Sequence, residues 1–434
     1  MNRRHLLGAM SWPAAAIVGG GLIPGRSANA KEVARELAAY PGTAREVVDD
    51  EYFWNQVRQA FSSEAGIINL NSGGVSPSPI PVQDAMKRYL DYSNTSPTYA
   101  MWQILEPQRE QVRERMAREW GVDSEEIALV RNASEGLQIC QLGLDLEPGD
   151  EILTTNQDYG RMITTWKQRE RREGLVLRQI SIPVPAEDDD EIVRLFESNI
   201  TPRTKVIHMC HIINLTGQIL PVAKVTNMAR KHGIKVIVDG AHALAHFDFK
   251  IPDLECDYYA TSLHKWLFAP HGTGLLYVRR DKIAGLWPMM AAPPKLDDNI
   301  RKFEEIGTHP AANYLGIGDA LTFHQGIGSE RKTARLVYLR EHHLNRLLDY
   351  SDRVRVSTSR MPGKAAGIST VGVDGIDTSA LNSYLWREHK IISVAINHAE
   401  FSGLRISPSV FTTLEELDRF CEAVEHAIRH GVAA

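Results

Sequence analysis

Cysteine is scarce in this chain: four in 434 residues, at positions 140, 210, 256 and 421. That number is too small for a disulfide scaffold. A surplus of base is also missing. Lys and Arg total 49 against 54 Asp and Glu, for a net charge of -5, whereas a nucleic-acid surface shows as a basic excess. The body of the chain has no internal repeat and no low-complexity segment. None of the sixteen histidines pairs with acids or cysteines at metal-ligand spacing. Apolar residues make up 43% and charged residues 24%, which excludes a disordered chain, a collagen-like chain and a multi-span membrane protein. What remains is a folded protein long enough for two or three domains.

Acid is absent from the first 31 residues; Glu32 is the first. Asn2-Arg3-Arg4-His5-Leu6-Leu7 leads into an apolar, Gly- and Ala-rich stretch broken by Pro13, and Ala28-Asn29-Ala30 follows as a small-x-small site. That order is the order of a cleaved secretory signal. The paired arginines resemble a twin-arginine signal, a route that carries folded proteins. A spanning helix needs ~20 continuous apolar residues, and this stretch carries proline and glycines. Residues 1–30 are therefore expected to be a removable address and the mature protein periplasmic, free of the membrane once cleaved.

Beyond it, short β-branched runs alternate with helical patterns. Strands are expected at Ile127–Val130, Glu151–Thr155, Leu175–Ile180, Lys205–Met209, Ile234–Asp239, Asp257–Thr261 and Gly274–Val278, with helices at Glu135–Leu144, Arg161–Arg172 and Val222–His232. This alternation predicts an α/β fold, a mostly parallel seven-stranded sheet with helices on both faces and ligands at the C-terminal strand ends. The acids at 187–191 suit the solvated start of a surface helix. A long helix, Ser329–Tyr350, leads into short strands near Ile368–Val373, Ile392–Ile396 and Leu404–Ile406 and helices at Ser379–Glu388 and Leu414–Arg429. The expected division is 31–75 as a segment packing on the small domain, 76–300 as the large domain, and 301–434 as a smaller α+β domain.

Ser262-Leu263-His264-Lys265-Trp266 follows one of these strands, and 26 residues before Lys265 another strand ends at Asp239-Gly240-Ala241-His242. An acid at one strand end and a lysine after the next suit a pyridoxal phosphate site. The amine forms a Schiff base with the aldehyde, and the acid keeps the pyridine nitrogen protonated so that the ring accepts electrons. Either motif alone is weak, since such residues are commonly a surface lysine and a turn aspartate.

Together with Asn71-Ser72-Gly73-Gly74, Asn132-Ala133-Ser134-Glu135-Gly136, Asn214-Leu215-Thr216-Gly217, Gly307-Thr308 and Leu404-Arg405-Ile406-Ser407, the chain resembles the class V aminotransferase family of fold-type I pyridoxal-phosphate enzymes, in its isopenicillin N epimerase-like branch. The resemblance implies roles. Lys265 would carry the cofactor pyridoxal 5'-phosphate and act as base at the substrate α-carbon, which requires its pKa to fall from ~10.4. Asp239 would face the ring nitrogen. Ala133, Ser134 and Glu135, at a helix start, would hold the phosphate, though Ser134 also suits a plain N-cap. Ser262 and His264 would add donors to the phosphate, with a structural role as the alternative for His264. Tyr159 would stack on the ring, or else sit in the core; Asn214 and His242 would lie near the phenolic oxygen. Thr308 would reach the phosphate of a neighbouring subunit, implying a homodimer. Gly73, Gly74 and Arg405 would meet the substrate. The flanking apolar residues of Arg405 argue for an inward guanidinium suited to an α-carboxylate.

The resemblance implies an enzyme acting on a small amino-acid-type substrate, with transamination as the leading outcome, although the residues themselves do not fix which outcome follows. Epimerisation needs a second acid, for which Tyr159 and His309 are candidates; decarboxylation or oxidative modification of a siderophore side chain is a further outcome, through a resemblance to exported enzymes that act on pyoverdine. Desulfuration is disfavoured, because no cysteine lies between Lys265 and Arg405. A non-catalytic binding protein on this fold is opposed by the intact set of Lys265, Asp239 and Arg405.

Overall fold

The structure, a computed structural model, describes residues 29–62 and 64–432. The paired arginines and the apolar stretch of the expected signal lie outside the described residues.

All seven expected strands form, each within one residue of its expected ends: β1 (Ile127–Val130), β2 (Glu151–Thr155), β3 (Val176–Ile180), β4 (Thr204–Cys210), β5 (Lys235–Asp239), β6 (Tyr258–Ser262) and β7 (Gly274–Val278). They make one sheet in the order β1-β7-β6-β5-β4-β2-β3. Its pairings are parallel except that β7 runs against both of its neighbours. The interior strands are buried on both faces, as the runs Val236-Ile237-Val238 and Val206-Ile207 require. Helices Ala133–Gly143, Gly160–Glu173 and Val222–Lys231 supply crossovers. The acidic run behaves as expected: Asp188 caps helix Asp189–Ser198 by accepting from the Asp190 N–H.

One helix had no clear signature. Ala311–Ile327 is apolar on nearly every side and buried along most of its length, so it carries no amphipathic stripe. It packs on helices Ala30–Ala39, Ile80–Thr95 and Arg109–Trp120. This places it against the N-terminal and large-sheet elements, although it falls within the range 301–434.

The C-terminal sheet is four-stranded and antiparallel, in the order Val394–Asn397, Ser402–Ile406, Ser369–Val373, Val354–Val356. Its apolar core joins leucines of helix Ser329–Tyr350 to Leu381 and Leu385 of helix Thr378–His389 and Leu417 and Phe420 of helix Leu414–His430. From the N-terminal segment, Ile68–Asn69 pairs in parallel with Ile391–Ile392, and Asn71 bridges to Ser407. Residues 68–71 thus dock on this side of the molecule, while the earlier helix Ala30–Ala39 packs on Ala311–Ile327. Among the described residues no helix is long and apolar enough to cross a membrane.

Candidate active site

The C-terminal edge of the large sheet faces the small sheet. β5 ends at Asp239 and β6 at Ser262, and the register sets Cys210 opposite Asp239 and Asp239 opposite Ala260. Lys265 leaves β6 three residues past its end. Arg405 enters from the other side, on strand Ser402–Ile406. Gly73 and Gly74 arrive on the N-terminal segment, fixed by the Gly73 N–H donating to Ser407 Oγ at 3.2 Å. Gly73, Gly74, Ala133, Ser134, Tyr159, Asn214, Asp239, His242, Ser262, His264, Lys265 and Arg405 all line one cavity of about 520 Å³.

The helix start at Ala133 differs in detail from expectation. Its N-cap is Asn132, not Ser134, and the Asn132 Oδ1 accepts from the Glu135 N–H at 2.9 Å. The Glu135 carboxylate turns to Arg131, 2.6 Å away, and does not line the cavity. The backbone N–H by which Glu135 would hold a phosphate is therefore engaged by Asn132. The Ala133 N–H donates to Ser262 Oγ at 3.0 Å, tying the lysine-bearing strand to this helix start. Gly274 of β7 permits the close fit, since a Cβ there would lie 2.6 Å from the Asn132 backbone.

Lys265 Nζ lies 3.0 Å from His242 Nε2. Desolvation lowers its pKa to about 8; the Asp239 charge works against that fall and the Arg405 charge adds to it. Desolvation, with Lys265 and Arg405 nearby, also holds His242 well below its usual range, as a neutral acceptor. Asp239 accepts from the Ala241 N–H at 2.9 Å, yet burial raises its pKa to about 6, with Asp158 adding to the rise. A cation at this carboxylate would keep it ionised. His264 is pushed down to about 4, chiefly by burial. Its Nδ1 donates to the Thr273 carbonyl at 3.1 Å, so donation from Nε2 as well requires a second proton, which a bound dianion favours.

Arg405 donates to Asn71 Oδ1 at 2.7 Å and to the Asn214 carbonyl at 3.2 Å. Burial lowers its pKa to about 10, and among the described residues no carboxylate pairs with it. Its Nε, Asn214 Oδ1 and His242 Nδ1 are buried without partners. Such atoms are costly unless a polar ligand meets them, and a cavity with a lysine, an acid and an uncompensated guanidinium suits a phosphorylated aromatic aldehyde carrying an amino acid.

Tyr159 sits at the cavity wall, 37% exposed, so it is a surface-facing ring rather than a core tyrosine. Thr308 and His309 do not reach this cavity. They line a separate hollow of about 330 Å³ with Trp102 and Arg109, where His309 contacts the Gly307 carbonyl at 2.8 Å and Arg109 at 3.2 Å. Several polar residues of the site escaped the sequence reading. Arg161 and Cys210 line the cavity. Asp158, buried beside them, takes three hydrogen bonds on one oxygen, from Thr154 Oγ1 and from Thr155 N and Oγ1, at 2.7–2.8 Å. Burial together with Asp158 and Asp239 drives the Cys210 thiol far up, which keeps it protonated and a poor nucleophile. All four cysteines are free and buried, and among the described residues no group of side chains could hold a metal ion.

The sequence model of the family described as Aminotransferase class-V matches residues 68–420. The isopenicillin N epimerase of Streptomyces clavuligerus is 29% identical over 389 residues, spanning 86% of this chain and 98% of the relative. A cysteine desulfurase of Synechococcus elongatus is 26% identical over 407 residues, covering 85% of this chain and 63% of the relative. Among solved structures, the cystine C–S lyase C-DES in complex with cysteine persulfide superposes with a TM-score of 0.74 at 25% identity, over 83% of this chain and 98% of that one.

Proposed function

The chain belongs to the class V aminotransferase family, and from that premise we propose that it is an aminotransferase acting at the α-carbon of an amino acid or an amino-acid-bearing metabolite. Its cofactor is pyridoxal 5'-phosphate. When bound, that group supplies an aldehyde for amines and a ring that accepts an electron pair. One observation carries the reading: a cavity lysine held to about 8 stands with Asp239 and with Arg405, a guanidinium that lacks a counterion among the described residues.

The side chains divide the work. Ser262, His264 and the start of helix Ala133–Gly143 would hold the phosphate end. Asp239 would face the ring nitrogen and keep it protonated. Asn214 and His242 would present polar atoms to the phenolic oxygen. Tyr159 would cover the ring face. Arg405 exchanges its bonds to Asn71 and the Asn214 carbonyl for the two oxygens of a substrate carboxylate. Lys265, with a pKa close to neutral, takes and returns the proton at the α-carbon. A neutral amine is available in useful fraction at pH 7–8, which an ordinary lysine is not.

Transamination needs one proton carrier, moving between two carbons of one face. Epimerisation needs a second on the other face, and of the two residues considered, His309 lies outside the cavity. Incubation with an amino-acid panel in heavy water separates the outcomes. A keto acid supports the reading. A Cα-deuterated, inverted amino acid or released carbon dioxide overturns it in favour of epimerisation or decarboxylation. A colourless protein that pyridoxal phosphate does not restore points to a binding protein.

Two extensions belong to the same reading. Export by the twin-arginine route follows from residues 1–30, and the double variant Arg3→Lys, Arg4→Lys is expected to stay in the cytoplasm. A homodimer follows if Thr308 serves a neighbouring subunit's phosphate; a monomeric mass in solution, measured by light scattering, excludes it.

A further inference from the structure

His246 plays no part in the chemistry above, yet it touches three segments that must stay in register. Its ring stacks on Trp266, the neighbour of Lys265, at 3.6 Å between centroids and 14° between planes. Its Nε2 accepts from the Gly367 N–H at 2.7 Å. Its Nδ1 lies 2.8 Å from the carbonyl of His242. Since Nε2 accepts, Nδ1 must carry the proton and donate. Both ring nitrogens are thereby committed, and one tautomer is fixed.

Two of the contacts lead to the Lys265 side of the cavity and the third to the Arg405 side. His242 is the residue against Lys265 Nζ. Trp266 is further anchored by its carbonyl, which accepts from buried Lys332. Gly367 lies two residues before strand Ser369–Val373, in which Thr370 stands opposite Arg405. The fit at Gly367 is close: a Cβ there would lie 3.0 Å from His246 Nε2 and 2.9 Å from the Leu336 side chain. The backbone just before His246 is itself held in an unusual shape, with Ala245 at a φ of 62°, a left-handed conformation that alanine avoids. Such a conformation persists only where its surroundings impose it.

We infer that His246 is a positioning residue that sets the spacing between Arg405 and Lys265, so that a substrate carboxylate and its amine are presented together. The inference rests on the functional reading above. It requires only this chain's residues, and the Gly367 segment has a second tie in Arg340, which bonds the Ala366 carbonyl at 2.7 Å, so that the fold is expected to outlast loss of His246.

The test compares two amine probes on the holoenzyme: aminooxyacetate, which carries a carboxylate, and methoxyamine, which does not. Both consume the visible absorbance of the lysine-bound cofactor, so the ratio of their rates reads the carboxylate's contribution alone. His246→Phe keeps an aromatic ring but loses both hydrogen bonds. Gly367→Ala crowds the ring and the Leu336 side chain while keeping the His246 residue. His246→Gln restores an acceptor for Gly367. In the first two variants the aminooxyacetate preference is expected to fall about tenfold with the methoxyamine rate unchanged, and His246→Gln is expected to recover most of it. An unchanged preference in folded Gly367→Ala overturns the inference, and this variant decides should His246→Phe not fold. Equal loss in both probes also overturns it, because that marks a general loosening. If the wild type shows no cofactor absorbance at all, it is the functional reading that has failed.

Discussion

Lys265 and Lys332 are both withdrawn from bulk water, but in different company. Lys265 opens on the cavity and shares it with Asp239; its pKa settles at about 8. Lys332 is sealed behind the same loop, donating to the Trp266 carbonyl and resting 3.9 Å from the Phe268 ring centroid. Among the described residues no acid offsets its burial, and its pKa falls far below the ordinary 10.5. The contrast separates two uses of a desolvated amine. A nearby carboxylate limits the fall and leaves a lysine that can take and release a proton at neutral pH. Burial without a carboxylate drives the pKa down further and leaves an amine whose bonds to a carbonyl and an aromatic ring serve packing.

Removing the reactive member breaks the contrast most severely. Lys265→Ala is expected to lower turnover by at least about a thousandfold and to abolish fixation of the cofactor by borohydride, read by mass spectrometry. Asp239→Asn, which withdraws the compensating charge, is expected to cost about a hundred- to a thousandfold in kcat with thermal unfolding little changed. Arg405→Lys keeps the charge and loses the planar fork; KM is expected to rise about ten- to a hundredfold while cofactor affinity stays. Lys332→Met tests the packing member. Burial lowers this amine's pKa in the folded chain relative to the unfolded one, so folded stability rises with pH up to about 10.5 and falls as pH drops. Urea unfolding across pH should therefore show a flatter profile in Lys332→Met. The smallest effect is expected for Glu135→Gln: its carboxylate pairs with Arg131, and cofactor affinity should stay within about twofold.

The legible parts of this protein are those where chemistry and periodicity coincide. Strands such as Glu151–Thr155 were readable because a fully buried parallel strand is a short β-branched run, and the motifs at Asp239 and Lys265 sit where such runs end. Helix Ala311–Ile327 was not, because burial on all sides removes the stripe on which helix reading depends. At the site, residue types that meet a ligand could be named, but the direction of a side chain could not. Asn132 takes the cap that Ser134 equally suits by type, and that choice disposes of the Glu135 N–H. His246 acts through a bond to the distant Gly367 backbone, for which one sequence holds no signal, and Asp158 bonds its near neighbours Thr154 and Thr155 without any motif that marks it. Thr308 and His309 fall in a second hollow because helix Ala311–Ile327 begins just after them.

The parallel pairing of Ile68–Asn69 with Ile391–Ile392, and the bridge from Asn71 to Ser407, fasten residues 68–74 to the small-sheet side. The two glycines facing the cavity and the guanidinium of Arg405 consequently travel as a unit. Any tilt of that side relative to the lysine narrows or widens the opening from two directions at once, while the distances within the carboxylate-binding half stay constant.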